Sequence, residues 1–160
     1  MVDLLILVRR FTRGDAGSRE AIHRLYLANT AHVNNWDLVD SSAPAIVGGY
    51  LMGRKRSILR TLARSDSVWE RRIAILATLP LIKRGEFTDT FRIADLLLAD
   101  EHDLIHKAVG WMIREVGNRD REAAAEFLAS RYDRMPRTML RYAIEKLPEP
   151  IRKRYLRGKV

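Results

Sequence analysis

The chain contains no cysteine, which excludes disulfides and thiolate metal sites. It has no apolar run long enough to span a bilayer. Leu4 to Val8 is apolar but short, and Arg9-Arg10 follow it directly, which fits neither a signal peptide nor an anchor. There is no glycine-rich phosphate loop, because Gly48-Gly49 lies inside a helical pattern. There is no serine-centred nucleophile elbow either. Four histidines are present, and only His102 and His106 stand at helical spacing, with Asp103 the one acid beside them. A zinc site needs more ligands than that, so neither metal nor cofactor is expected. Arg13-Gly14-Asp15 reads as a turn. No stretch alternates apolar and polar residues in the manner of a strand.

Basic residues are what the chain has in excess. Lysine and arginine number 29 against 20 acidic residues, a net charge of +9, with an isoelectric point near 10.3. Such an excess favours a polyanionic partner through counterion release. Nucleic acid is the first candidate, an anionic membrane surface the second, and a soluble protein that is merely basic the third. A length of 160 residues fits one compact domain or one short solenoid and suffices to bury a core. The cytoplasm is the default location.

Almost the whole chain carries apolar residues at a period near 3.6, the mark of amphipathic helices. Helices are expected over Val2–Thr12, Ser18–Asn29, Ser57–Ala63, Ser67–Lys83, Thr88–Leu98, Asp103–Val116, Arg121–Tyr132, Pro136–Leu147 and Glu149–Leu156. Pro80 should kink or shorten the longest of them. Asn35–Asp40 reads as a short turn, followed by a helix that Pro44 initiates and that runs to Leu51. Arg72-Ile73-Ala74-Ile75, His106-Lys107-Ala108-Val109 and Arg141-Tyr142-Ala143-Ile144 recur at spacings of 34 and 35 residues. Each falls on the second half of a helical hairpin, and a small alanine beside a β-branched or bulky neighbour suits close stacking. The fold expected is all-α, a HEAT-like helical-repeat solenoid forming one domain over residues 1–160. One helix of each pair would present positive charge along a groove. The first helix starts on apolar residues with no polar cap before it. That start suggests an edge covered by a partner, by self-association, or by repeats that this chain lacks.

Three segments hold the residues able to do chemistry. Trp36 and Asp40 in Asn34-Asn35-Trp36-Asp37-Leu38-Val39-Asp40 are four apart and share a helical face, with the asparagines as a capping signal. The plain alternative is a core tryptophan and a capping aspartate. Trp69 and Arg72 are three apart, as are Trp111 and Arg114, and an indole beside a guanidinium can stack on a base while binding its phosphate. For Trp69, core packing beside Val68 is the preferred reading. Gly110, next to Trp111, costs about 1 kcal/mol in a helix relative to alanine. Close approach of a ligand or of another helix would justify that cost. Arg72 sits in an apolar helix and needs a carboxylate, with Asp40 as the candidate. Alternatively Arg71 and Arg72 are solvated or pair with Glu70 or Asp66. The segment Arg152 to Lys159 holds five basic residues and one tyrosine, either a solvated face or an extra contact to a nucleic-acid backbone.

Taken together, Asn-Asn-Trp-Asp-Leu-Val-Asp followed by Ser-Ala-Pro, Trp-x-Arg-Arg-x-Ala-Ile, and Lys-Ala-x-Gly-Trp-x-x-Arg-Glu resemble the AlkD-type DNA alkylation repair family of HEAT-like repeat proteins. The likeness runs from Leu4 to about Leu156. It implies a monofunctional glycosylase that removes cationic N3- and N7-alkylated purines from double-stranded DNA in the cytoplasm, at the nucleoid. Carried over, Asp40 would be the catalytic aspartate and Trp36 and Trp111 the indoles facing the lesion. Arg72 would lie beside the site as a substrate-binding residue, Arg72 and Arg114 would grip phosphates, and Lys107 and Arg71 would also meet the DNA backbone. An alkylated purine is already a good leaving group, so a carboxylate that stabilises oxocarbenium character would suffice. Base flipping is not implied, because a solenoid groove offers no obvious deep pocket. Members of the family usually carry further helices before the point matching Met1, so this chain is expected to lack N-terminal repeats. Two other functions compete: a non-catalytic DNA-binding repeat protein, and a protein-interaction solenoid.

Overall fold

Helix is the only regular secondary structure among the described residues, 2–160, of this computed structural model, with side chains described from residue 3 onward. The order is α1 (Val2–Arg13), α2 (Ala16–Ala28), a single 3-10 turn (Thr30–His32), α3 (Trp36–Ala43), a π-turn (Pro44–Gly48), α4 (Ser57–Ala63), α5 (Val68–Leu76), α6 (Leu79–Lys83), α7 (Thr88–Leu96), α8 (Asp103–Arg119), α9 (Arg121–Ala129), α10 (Arg137–Ala143) and α11 (Glu149–Leu156). Short polar residues start several of them by satisfying free helical N–H groups. The Asp15 carboxylate accepts from the Ser18 amide at 2.8 Å, and Asp120 accepts from that of Ala123 at 3.0 Å.

The helices differ from the periodicity most at two prolines, and α8 ends three residues later, α9 three earlier and α10 four earlier than expected. The expected helix over 67–83 is two helices, because the chain turns at Ala77 and Thr78 before resuming at Leu79. Pro80 cannot donate to the carbonyl of Leu76 and its ring crowds it, so the helix closes before Pro80 as anticipated. The opposite happens at Pro44. Asn35–Asp40 is no isolated turn; α3 begins there and passes through Pro44 without leaving helical dihedrals. Pro44 has no N–H to offer the Asp40 carbonyl four residues back, and the chain widens into a π-turn at that point.

Helices α3, α5, α8 and α10 pack in sequence, each against the next. Along α8 and α10, Thr138 faces Asp103, Met139 and Tyr142 lie over Gly110, and Glu145 pairs with Arg114. The contacts advance in the same direction on both helices, so the two run parallel, as equivalent helices of a repeat do. The three recurring tetrapeptides fall on α5, α8 and α10. Their alanines, Ala74, Ala108 and Ala143, are all buried. Outside this row, α4 packs on α5 and α7, and α9 on α8. Arg56 ties α4 to α7 through Glu86 at 2.5 Å and Asp89 at 2.9 Å. In α1, Leu4, Leu7 and Val8 pack on the core, while Leu5 and Ile6 stand half exposed.

Candidate functional site

The geometry is built on α3. Asn35 caps that helix, its side-chain oxygen accepting from the Asp37 amide at 3.1 Å. One face of the helix, Val39, Ser42 and Ala43, is fully buried. Ser42 donates to the Leu38 carbonyl at 2.6 Å and meets the Tyr26 hydroxyl at 2.9 Å. Burial pushes the Tyr26 phenol up to about 12, against the opposing effect of its bond to Ser42. With that face anchored, Trp36 and Asp40 project together from the other side. Trp36 is 53% exposed, far more than a core tryptophan would be.

Asp40 is gripped from α5. The Arg72 Nε and Nη2 atoms donate to its two carboxylate oxygens, each at 2.8 Å, and Nη1 donates to the Leu104 carbonyl at the start of α8. Arg72 is only 5% exposed, and a buried guanidinium needs such pairing. A bidentate contact fixes carboxylate orientation as well as charge. The Asp40 side chain retains 19% exposure, and each of its oxygens keeps a lone pair beyond the one Arg72 occupies. One arginine thus joins three successive helices at the carboxylate. The pairing expected between Arg72 and Asp40 is present. The expected phosphate contact by Arg72 is not supported, because its donors are turned inward and covered.

The face of α8 that begins at Leu104 continues through Lys107, Trp111, Arg114 and Asn118 at intervals of three and four residues, as one stripe with Glu115 one turn beyond Trp111. Trp111 is partly buried against the core, and its Nε1 donates to the Glu115 carboxylate at 3.0 Å. Glu115 was not singled out by sequence, though its spacing from Trp111 is the signal that would have found it. Lys107 pairs with Asp103 at 2.7 Å. That pair lowers the acid and raises the ammonium, and Tyr142 of α10 lies near Lys107. Arg114 is paired with Glu145, in the turn that follows α10, and is mostly covered.

Arg71 falls outside this group. Its Nε bonds Asp100 at 2.6 Å, and its Nη1 bonds the carbonyls of Ser65 at 3.0 Å and Asp66 at 2.9 Å. Arg71, expected at the DNA backbone, is held here as a brace between the loops that precede α5 and α8. Trp69 packs on the core, as the plainer reading held. Gly110 has its explanation in α10: a Cβ there would overlap the Met139 carbonyl and the Tyr142 Cβ, so helix contact, not a ligand, requires glycine. His102 caps α8, its Nδ1 accepting from the Leu104 amide at 3.2 Å, and His106 bonds the Asp100 carbonyl. None of five surface clefts, of about 150 to 590 Å³, is lined by Trp36, Asp40 or Trp111. No helix among the described residues is long and apolar enough to cross a membrane.

Comparison with curated proteins returns no match to this chain. The family model described as DNA alkylation repair enzyme matches residues 1–147, which take in the whole constellation from Trp36 to Arg114, and the chain belongs to that family.

Proposed function

We propose that this chain is a monofunctional DNA glycosylase, a single helical-repeat domain that excises cationic N3- and N7-alkylated purines from duplex DNA in base-excision repair. The observation that carries the reading is the Asp40 carboxylate, held in one orientation by buried Arg72 and one helical turn from exposed Trp36. A scaffold needs neither an exposed indole there nor a partly exposed carboxylate beside it.

The chemistry follows from the charges. The C1′–N bond of an alkylated purine breaks with its electron pair moving to the ring, cancelling the positive charge of the base. The sugar gains oxocarbenium character, as in glycoside hydrolysis. Asp40 stabilises that charge and orients a water whose oxygen bonds to C1′. The water proton passes to the carboxylate or to solvent, leaving free base and an abasic site. Trp36 and Trp111 favour the cationic base by about 0.5–2 kcal/mol each. Arg72 acts as a positioning residue, and Lys107 and Arg114 serve the DNA backbone once their acidic partners exchange for phosphate.

The test is release of 7-methylguanine and 3-methyladenine from methylated duplex DNA, with Asp40→Asn alongside. The expected result is release by the unmodified chain and none by Asp40→Asn, with DNA binding nearly unchanged. Equal release by both sinks the assignment of Asp40. A second reading has one observation in its favour: both Asp40 oxygens are bonded to Arg72, as in an ion pair that merely fastens α3 to α5. On that reading the chain is a non-catalytic DNA-binding scaffold, and it releases no base while still binding DNA.

A further inference from the structure

The basic excess is not spread evenly. Residues 131–160 hold ten basic and three acidic residues, a net +7 out of the chain's +9. Past the family match, which ends at residue 147, residues 148–160 hold five basic residues against Glu149 alone. This part is ordered helix. α11 is docked by Tyr155, which is buried and meets the Tyr132 ring edge-on at 5.6 Å between centroids. The Leu156 carbonyl at its end accepts from Arg137 Nη1 at 2.8 Å. Arg152, Arg154, Arg157 and Lys159 all stand exposed, as do Arg134 and Arg137 beside them, and none of the six is in an ion pair among the described residues.

We infer that α11, with Arg134 and Arg137, is a second contact for the phosphate backbone of duplex DNA, flanking the site at Asp40. The inference rests on the proposed function only in taking duplex DNA as the partner. Three observations favour DNA over an anionic membrane. A helix that lies on a membrane needs an apolar face to bury, but Tyr155 is turned into the protein and Ile151 is the only large apolar side chain of α11 standing exposed. The cluster is anchored by its own backbone and an aromatic pair, so it presents a fixed charged surface without ordering cost at binding. It is also tied to the row of helices that carries the site. Arg72 bonds Leu104 on α8, α8 packs on α10, and Arg137 at the start of α10 holds α11. Three helix spacings of about 9 Å each separate α3 from α10. That is roughly 27 Å, or about eight base pairs at 3.4 Å per pair.

The experiment measures the affinity of the full chain for undamaged duplex as a function of salt, beside the variant Arg152→Gln/Arg154→Gln/Arg157→Gln/Lys159→Gln. Four lost phosphate contacts should reduce the slope of log affinity against log salt by about 3.6. Base release at saturating protein should be unchanged, because no altered residue lies at Asp40. The variant's melting temperature serves as the control for folding. Duplex length gives a second reading: the unmodified chain should gain affinity as the undamaged duplex grows past about eight base pairs, and the variant should gain less. An unchanged slope and unchanged length dependence overturn the inference. So does binding to vesicles of phosphatidylcholine and phosphatidylserine that is lost in the variant while duplex binding is kept. If the unmodified chain releases no methylated base yet the slope and length effects appear, the backbone contact stands and the reading of Asp40 as catalytic fails.

Discussion

At the residue scale, the ion pair between Arg72 and Asp40 is where stability and proposed activity meet. Arg72 is buried and Asp40 partly exposed, so neutralising Asp40 leaves a cation in the interior with only the Leu104 carbonyl. Removal of one partner of a buried pair costs about 3–5 kcal/mol, whereas replacing both by well-packed neutral groups is often nearly neutral. Asp40→Asn should therefore lower the urea midpoint markedly, and Asp40→Asn/Arg72→Met should restore most of it without restoring base release. Recovery of base release in the double variant would show that the carboxylate is not catalytic. Trp36 makes the opposite case. It is 53% exposed, so Trp36→Ala should change stability by less than about 0.5 kcal/mol. It should weaken binding to duplex carrying a cationic base by about 0.5–2 kcal/mol, while binding to undamaged duplex is kept. Titration of both duplexes by anisotropy separates the two effects. Equal weakening on both would make Trp36 a general DNA contact.

At the scale of elements, the closest approach between α8 and α10 is set by a residue with no side chain. A Cβ at position 110 would overlap the Met139 carbonyl and Tyr142, and backbone cannot move aside as the end of a flexible side chain can. Gly110→Ala gains helix propensity of about 1 kcal/mol and loses about 1–3 kcal/mol or more to overpacking. Net destabilisation is expected in urea titration, with the Arg114–Glu145 pair loosened as α10 is pushed away. A stabilised Gly110→Ala would mean that α10 does not sit against α8 in this way. The same comparison shows where periodicity could be read and where it could not. Apolar spacing places the starts of most helices to within a residue or two, but the ends of α8, α9 and α10 differ by three or four residues, and Pro80 marks the break after α5. Pro44 offered the same local signal and yet the helix continues, because the buried face of α3 is held by packing and by the Tyr26–Ser42 contact. Local sequence does not contain that tertiary contribution.

At the scale of the whole molecule, one buried histidine contributes to the response to acid near neutrality. His23 lies 7% exposed, its ring stacked on Tyr50 with centroids 4.0 Å apart, and its Nε2 has no hydrogen-bond partner. Burial holds its pKa below the usual 6.5, and Arg54, itself over the Tyr50 ring, pushes in the same direction. The folded state thus binds fewer protons than the unfolded chain just below pH 6.5, so stability rises with pH there. His23 contributes fully above pH 6.5 and loses that contribution as pH falls through its depressed folded value. His23→Phe, which keeps the stack, should flatten the unfolding free energy across that interval. An unaltered profile would show that another group governs the acid response.

Much of the molecule was legible without coordinates, for identifiable reasons. The all-helical class comes from the period of apolar residues, and the row of stacked helices from the recurring Ala-centred tetrapeptides. The pairing of Arg72 with Asp40 is also open to inference, because a charged residue in an apolar helix demands a carboxylate, with Glu70 and Asp66 as the alternatives along the chain. What the sequence could not distinguish was which arginine turns inward and which outward. Arg71 and Arg72 are neighbours with the same chemistry, yet one braces two loops through Asp100 and the other clamps Asp40. A one-residue step rotates a side chain by about 100° around a helix, and only packing against α3 and α8 fixes which of the two faces Asp40. The same limit left Gly110 ambiguous between ligand and helix contact until α10 was placed against it. Periodicity and charge act along the chain and can be read there; contacts between residues some thirty positions apart depend on how helices stack, and the tertiary structure alone decides them.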